Sequence, residues 1–195
     1  MRSLVYAGLL ITALAPPLCG DSPEISLREG DEAPSFAAVD ANGEIWKSED
    51  HIGKKVVVVY FYPADLTSGC TAQACAYRDH LKELEEAEVE VVGVSGDSVR
   101  NHQIFTRVNS LNFRLLSDEQ GKVAEAFGVP VREGATLTRM VDGVEQALTR
   151  GVTASRWTFI IGKDGRILRK CTIVEAEEDC KKVLETVRRL TADIE

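Results

Sequence analysis

Two rhythms of hydrophobic positions alternate along this chain. One is a set of short apolar runs; the other is a set of stripes at every third or fourth residue. The longest run covers 55–62 and holds four consecutive valines followed by Tyr60, Phe61 and Tyr62. It does not alternate with polar residues, which predicts a strand covered on both faces. Pro63 ends it. Over 70–86 the rhythm changes. Ala74, Tyr77, Leu81 and Leu84 form one helical stripe, opposite Arg78, Lys82, Glu83, Glu85 and Glu86. Residues 89–94 predict a second strand of the parallel type. Residues 99–110 predict a helix capped by Asp97 or Ser98. A short strand at 113–116 and a helix at 118–127, stopped by Gly128 and Pro130, follow.

The flanks complete the pattern. Two short strands, 35–40 and 44–47, bracket Asn42-Gly43, a strong hairpin signal. A brief helical turn is expected over 48–52. The stretch 131–153 is the least regular, with turns expected at Glu133-Gly134 and Asp142-Gly143 and short strands between them. A strand at 155–161, a turn at Gly162-Lys163-Asp164-Gly165, a strand at 166–174 and an amphipathic helix at 176–190 close the chain. The order predicts an α/β architecture with a central mixed β-sheet flanked by helices and an N-terminal β-hairpin extension.

Composition narrows the function. With 195 residues, one domain with a sizeable core is expected over 35–195, after a polar linker at 21–34. The net charge of -8, from 23 basic and 31 acidic side chains, argues against a nucleic-acid-binding surface. Residues 1–20 read differently. Arg2 is the only early charge, 3–15 are nearly all apolar, and Pro16-Pro17 then breaks any helix. This is the layout of a secretory signal peptide, with cleavage expected after Gly20. Its apolar core is too short for a membrane span, which needs roughly 20 residues. The expected location is therefore outside the cytoplasm, periplasmic or secreted. A lipid anchor through Cys19 is the alternative, although Leu18 is a poor residue to precede it. The blander reading is an N-terminal arm on a cytoplasmic protein.

Five cysteines are too few for a disulfide scaffold of this length. Two of them stand out. Cys70 falls at a strand-to-helix junction, where partial positive charge and unpaired N–H groups favour a thiolate. Cys75 follows five residues later. In an intact helix that spacing rises roughly 7.5 Å and turns the side chains apart by about 140°. A disulfide needs Cα atoms within about 7 Å and converging Cβ vectors. The pair therefore requires the first turn to unwind, which suits a reaction cycle better than a permanent bridge. Pro63 fixes the exit of the strand. The Thr67 hydroxyl can come near the sulfur, and Ser68-Gly69 let backbone N–H groups approach a small ligand. Arg156, opening the strand Trp157-Thr158-Phe159-Ile160-Ile161, would complete an electropositive pocket able to bind and split an O–O bond. The bland readings are an inert core thiol for Cys70 or Cys75, a capping hydroxyl for Thr67 and a solvated strand-end arginine for Arg156.

These residues resemble a known family. Tyr62-Pro63-x-x-x-Thr67-x-x-Cys70 is similar to the active-site motif of the peroxiredoxins. The Cys70–Cys75 spacing within Thr71-Ala72-Gln73-Ala74-Cys75-Ala76-Tyr77-Arg78-Asp79 resembles the peroxiredoxin Q or bacterioferritin-comigratory-protein branch. Gly93-Val94-Ser95-Gly96-Asp97-Ser98 and the segment from Arg156 to Gly165 match as well, and the likeness extends over 30–190. It implies a thioredoxin fold and a thiol peroxidase acting on hydrogen peroxide and organic hydroperoxides. Cys70 would be the peroxidatic thiol and Cys75 the resolving one, with Pro63, Thr67 and Arg156 shaping the pocket. A thioredoxin-like partner would reduce the Cys70–Cys75 disulfide. No cofactor or metal is implied. A monomer is expected, with a dimer as the alternative. Three departures stand out. Ser68 replaces the usual proline, Gln73 replaces the frequent glutamate so that a charge near the site is missing, and 131–153 is long for the branch.

The remaining signals are weaker. Cys171 alternates with Ile167, Arg169 and Ile173, so an inward side chain is expected. Cys180 shares an apolar helix face with Val183, Leu184 and Val187. Two core thiols, a structural disulfide if the protein is exported, or a second redox pair are each compatible with this pattern. His51, His80 and His102 lack metal-ligand spacing and read as surface residues. Two other functions share parts of this pattern. An exported thiol–disulfide oxidoreductase would call for Cys-x-x-Cys, which is absent. A copper-handling thioredoxin-fold protein would call for a spacing one residue shorter and a late histidine.

Overall fold

The computed structural model describes residues 26–192. The expected signal peptide, its cleavage point, the alternative anchor at Cys19 and the first part of the linker lie outside them. The described chain begins with the hairpin β1 (Ala37–Asp40) and β2 (Ile45–Lys47). Its turn is built as the Asn-Gly pair requires. Gly43 takes φ +82°, and the Asp40 carboxylate accepts the N–H groups of Asn42 (2.8 Å) and Glu44 (3.0 Å). The valine run becomes β3 (Val56–Phe61), with all six residues buried.

The helix expected over 70–86 forms as two, α1 (Ser68–Asp79) and α2 (Leu81–Glu86). They part at His80, whose φ of -103° and ψ of 10° leave the helical region. Hydrogen bonds still run across the junction, from His80 N to the Ala76 carbonyl (3.2 Å) and from Leu84 N to the His80 carbonyl (3.1 Å). The apolar stripe therefore stays in line. Then come β4 (Val89–Ser95), α3 (Val99–Asn109), β5 (Arg114–Ser117) and α4 (Lys122–Ala126). Ser98, not Asp97, caps α3, accepting the Asn101 N–H. α4 is shorter than expected because Asp118 acts as a cap ahead of it. Its carboxylate accepts from Val123 N (3.1 Å) and Ala124 N (2.9 Å), and Gly121 takes a left-handed conformation.

The irregular stretch resolves into β6 (Val131–Glu133), β7 (Thr136–Val141), β8 (Val144–Thr149) and β9 (Val152–Ala154). β7 and β8 form a hairpin through Asp142-Gly143, and β6 pairs with β9. The chain ends with β10 (Trp157–Ile161), β11 (Ile167–Cys171) and α5 (Asp179–Ala192).

Seven strands make one mixed sheet in the order β11-β10-β3-β4-β5-β1-β2. β3, β4 and β5 are parallel neighbours; β10 runs antiparallel to β3, and β1 antiparallel to β5. The sequence hairpin thus extends the far edge of the central sheet. β3 is bonded on both sides and covered on both faces, which explains its unbroken apolar run. Alternate residues divide between two cores. Val56, Val58 and Tyr60 meet Ala74, Tyr77, Leu84, Phe105 and Val183 on one face. Val57, Val59 and Phe61 meet Trp46, Val123, Phe127 and Ile167 on the other. Each fully buried large side chain stabilises by about 1.5–3 kcal/mol. Gly93 of β4 is a close-approach position, because a Cβ there would lie 2.6 Å from the Tyr60 hydroxyl. Among the described residues no helix is long and apolar enough to cross a membrane.

Two expectations are corrected. His102 is not a surface residue: it is 0% exposed, on the α3 face that also buries Asn101 and Phe105. A polar partner inside the core, Asp65, draws it in. The inward alternation of β11 also fails at its end. Ile167 is buried, but a bulge shifts the pairing with β10 between Ile161–Ile167 and Ile160–Arg169, so Arg169 is exposed and Cys171 half-buried; Ile173, beyond the strand, is 92% exposed.

Candidate active site

The carboxyl end of β3 delivers the chain to the start of α1. Pro63 is a half-buried bend, and Leu66 takes φ +54°, a left-handed conformation uncommon outside glycine. Thr67 is the residue before the helix, with extended φ and ψ. Its carbonyl accepts the Thr71 N–H at 2.8 Å, the first bond of α1. No side chain caps this end. The N–H groups of the first turn, that of Cys70 among them, thus have no partner within the helix.

Cys70 is 1% exposed. Arg156, in the segment just before β10, donates from Nη2 to Cys70 Sγ at 3.2 Å. Its Nη1 donates to Gln73 Oε1. One guanidinium thereby spans the thiol and a residue one turn along α1. Gln73 is itself buried and donates from Nε2 to Asp179 Oδ2 at 2.7 Å. The same carboxylate oxygen accepts from the Tyr77 hydroxyl (2.7 Å) and the Thr158 hydroxyl (2.9 Å). Gln73 therefore leaves no gap in the electrostatics. The negative charge that sequence reading finds missing stands on Asp179, at the start of α5.

Thr67 also holds the loop together. Its hydroxyl donates to the Ala64 carbonyl at 3.0 Å, bracing the loop. Cys75 is half-buried on the following turn of α1, and both thiols are free. Arg78 stands beside Cys75. The guanidinium pKa is pushed up chiefly by its hydrogen bond to Asp79, with the Cys75 thiol adding to the effect. Cys171 and Cys180 are also free thiols. Burial first, then the neighbouring Asp179 charge, pushes the Cys180 thiol up to about 12, which keeps it protonated and unreactive.

A second buried polar group braces the loop from behind. Asp65 accepts from the Tyr62 hydroxyl (2.8 Å) and pairs with His102 Nδ1 (2.8 Å), and its N–H donates to Asp97 (2.9 Å). Asp97 also accepts from Ser95 Oγ (2.9 Å) and Asn101 Nδ2 (3.0 Å). From the β7–β8 hairpin, Arg139 Nε donates to the Leu66 carbonyl at 3.1 Å. Sequence reasoning missed Asp179, Asp65, His102 and Arg139 as members of this environment. The one advance signal was Gln73, a polar residue on the helical face beside Ala74 and Tyr77. Among the described residues, no three His, Cys, Asp or Glu side chains come together as metal ligands.

The arrangement can do one kind of chemistry well. A sulfur beside a guanidinium at the uncapped start of a helix is suited to nucleophilic attack, and such donors can receive an oxygen that gains charge.

Comparisons with known proteins agree with this chemistry. Residues 29–170 match the model of the AhpC/TSA family. The chain is 40% identical over 141 residues to peroxiredoxin Bcp of Escherichia coli (strain K12), covering 72% of this chain and 83% of that one. It is 45% identical over 111 residues to the chloroplastic peroxiredoxin Q of Populus jackii, covering 57% of this chain and 52% of that one. The crystal structure of peroxidoxin BcpB from Mycobacterium tuberculosis matches with a TM-score of 0.70 at 32% identity, over 85% of this chain and 99% of that one. The mixed sheet and its flanking helices are the thioredoxin fold of these neighbours. The chain belongs to the AhpC/TSA family and, within it, stands with the peroxiredoxins named Bcp and Q.

Proposed function

We propose that this protein reduces hydrogen peroxide and organic hydroperoxides with Cys70, and that Cys75 resolves the product as an intramolecular disulfide. The observation that carries the reading is the 3.2 Å contact from Arg156 Nη2 to Cys70 Sγ at the uncapped start of α1. The Cys70 thiolate attacks the terminal peroxide oxygen. The O–O bond breaks, its electron pair leaves with the other oxygen, and a proton makes water or an alcohol. Cys70 becomes a sulfenic acid. Arg156 and the first-turn N–H groups hold the departing oxygen as its charge grows. Pro63 and Thr67 shape the wall.

The second step needs motion. Cys70 at 1% exposure is closed to any protein reductant, and Cys75 points away from it along α1. The first turn unwinds, the Cys75 thiolate attacks the Cys70 sulfur, hydroxide leaves as water, and the disulfide forms. A thioredoxin-like dithiol then returns both residues to thiols by exchange. Stopped-flow consumption of hydrogen peroxide by the reduced protein tests the reading. Wild type consumes it and Cys70→Ser does not. Full activity in Cys70→Ser would overturn the reading, and stoichiometric copper binding without peroxide turnover would favour the copper-handling alternative.

The composition of residues 1–20 supports export as part of the same proposal. The mature protein from its own host should begin at Asp21 by mass spectrometry. Retention of Met1 would refute export, and a lipid mass on Cys19 would replace cleavage at Gly20 with anchoring.

A further inference from the structure

The start of α1 meets the start of α5 through a continuous chain of buried and part-buried polar contacts. It runs from Cys70 Sγ to Arg156, from Arg156 to Gln73 Oε1, and from Gln73 Nε2 to Asp179 Oδ2. Gln73 is 0% exposed and Asp179 is 3% exposed. We propose that Asp179 is a positioning residue for peroxide reduction, a buried carboxylate that acts through Gln73 to hold the Arg156 guanidinium against Cys70. The proposal rests on Cys70 as the reactive thiol.

Donor and acceptor chemistry gives the chain a direction. A carboxylate only accepts, and a guanidinium only donates. A glutamine between them has one workable orientation: its NH2 faces Asp179 and its oxygen faces Arg156. The opposite orientation would set donor against donor and acceptor against acceptor. Asp179 thus fixes the rotation of the Gln73 amide, and that rotation supplies the acceptor for Arg156 Nη1. Tyr77 and Thr158 add donors to the same oxygen, at 2.7 and 2.9 Å, and hold the carboxylate in place. Burial, then the Asp179 charge, pushes the Tyr77 phenol up, so it remains a donor.

The same logic explains why glutamine stands at this position. A glutamate there would place two buried carboxylates against each other, and one would have to take up a proton. With glutamine, a single carboxylate serves. It lies one side chain farther from Arg156 and 106 positions along the sequence from Gln73.

The test exchanges charge between the two positions. Gln73→Glu sets carboxylate against carboxylate. Asp179→Asn sets amide against amide and frees Gln73 to rotate. Each single variant is expected to slow Cys70 oxidation by hydrogen peroxide roughly 10–100-fold, the scale of a misplaced catalytic group. The double variant Gln73→Glu/Asp179→Asn restores one carboxylate and one amide. It should recover most of the loss, which a merely structural contribution of Asp179 would not do. The second readout is the rate of Cys70 alkylation by iodoacetamide, which needs no peroxidase activity and should follow the same order. Thermal melts check each fold. If Asp179→Asn does not fold, Gln73→Met removes the acceptor for Arg156 while leaving Asp179 in place, and it should lose both rates alike. Single variants within about twofold of wild type in both readouts, or a double variant no better than the worse single one, would overturn the proposal. Cys70→Ser measured alongside separates the two levels, because activity there would remove the reading of Cys70 itself.

Discussion

Arg156 reaches Cys70 from a different element, with Nη2 at 3.2 Å from Sγ and Nη1 on Gln73. Two fixed donors on one planar group do what a flexible ammonium cannot. Arg156→Met should lower the rate constant for Cys70 oxidation by roughly 10²–10³-fold, the cost of removing one donor to a developing oxyanion. Arg156→Lys should recover little of it. Stopped-flow fluorescence checks both, and a fully active lysine variant would show that charge alone suffices.

In the proposed cycle, Cys75 acts only after peroxide has reacted. Cys75→Ser should oxidise at Cys70 as fast as wild type in a single turnover. It should then stall under thioredoxin and its reductase, with Cys70 accumulating as sulfenic acid and, in excess peroxide, as sulfinic acid. Intact-protein mass spectrometry distinguishes these forms. Sustained turnover by Cys75→Ser would assign resolution to another thiol.

The β7–β8 hairpin is a brace on the reactive loop. It is fastened to α3 by Arg107–Asp142 (2.6 Å) and Arg100–Gln146 (2.6 Å), and Asn101 donates to the Thr149 carbonyl (2.9 Å). From that platform Arg139 holds the carbonyl of Leu66, the residue at φ +54°. Arg139→Ala removes one hydrogen bond, worth about 0.5–1.5 kcal/mol, from the wound state of the loop. Disulfide formation after peroxide addition should accelerate by roughly two- to tenfold. Rapid-quench thiol trapping measures this step, and a slower step in the variant would contradict the brace.

The Asp65–His102 pair gives the fold a pH dependence. Burial disfavours the imidazolium, but the Asp65 carboxylate at 2.8 Å outweighs it, with Asp97 and the Leu116 carbonyl adding, so the His102 pKa is raised above 6.5. A raised folded pKa stabilises fully below the unfolded value of about 6.5, and that contribution is lost as pH rises through the folded value. Melting temperature should therefore decline as pH rises above about 6.5. His102→Gln should flatten this slope and destabilise the protein by about 3–5 kcal/mol at acidic pH, because Asp65 loses its buried partner. An unchanged slope in His102→Gln would assign the dependence to other groups.

Local rules explain what the sequence made legible. The valine run, the Asn-Gly hairpin and the stripe of Ala74, Tyr77 and Leu84 each follow from short-range periodicity, and each appears in the structure. Cys70 was legible as a candidate because its neighbours form one contiguous motif. The supporting residues were not, because sheet order sets them and periodicity does not. Asp179 meets Gln73 only when α5 packs beside α1. His102 looked like a surface histidine because nothing near it in sequence announces Asp65, 37 positions away. Arg139 lay in the stretch with the weakest pattern, and its contact to Leu66 spans 73 positions. The split of the helix at His80 follows from no proline or glycine, and the residues there give no reason for it.

The most direct measurement is a disulfide map of the reduced, mature protein after a single equivalent of hydrogen peroxide, digested without reductant. A peptide pair joined through Cys70 and Cys75, with Cys171 and Cys180 still open to alkylation, is the expected result. It should come with loss of amide protection in the first turn of α1 while β3 stays protected. A free Cys70 after peroxide treatment, or a bridge from Cys70 to any other cysteine, would contradict the assignment of these two thiols.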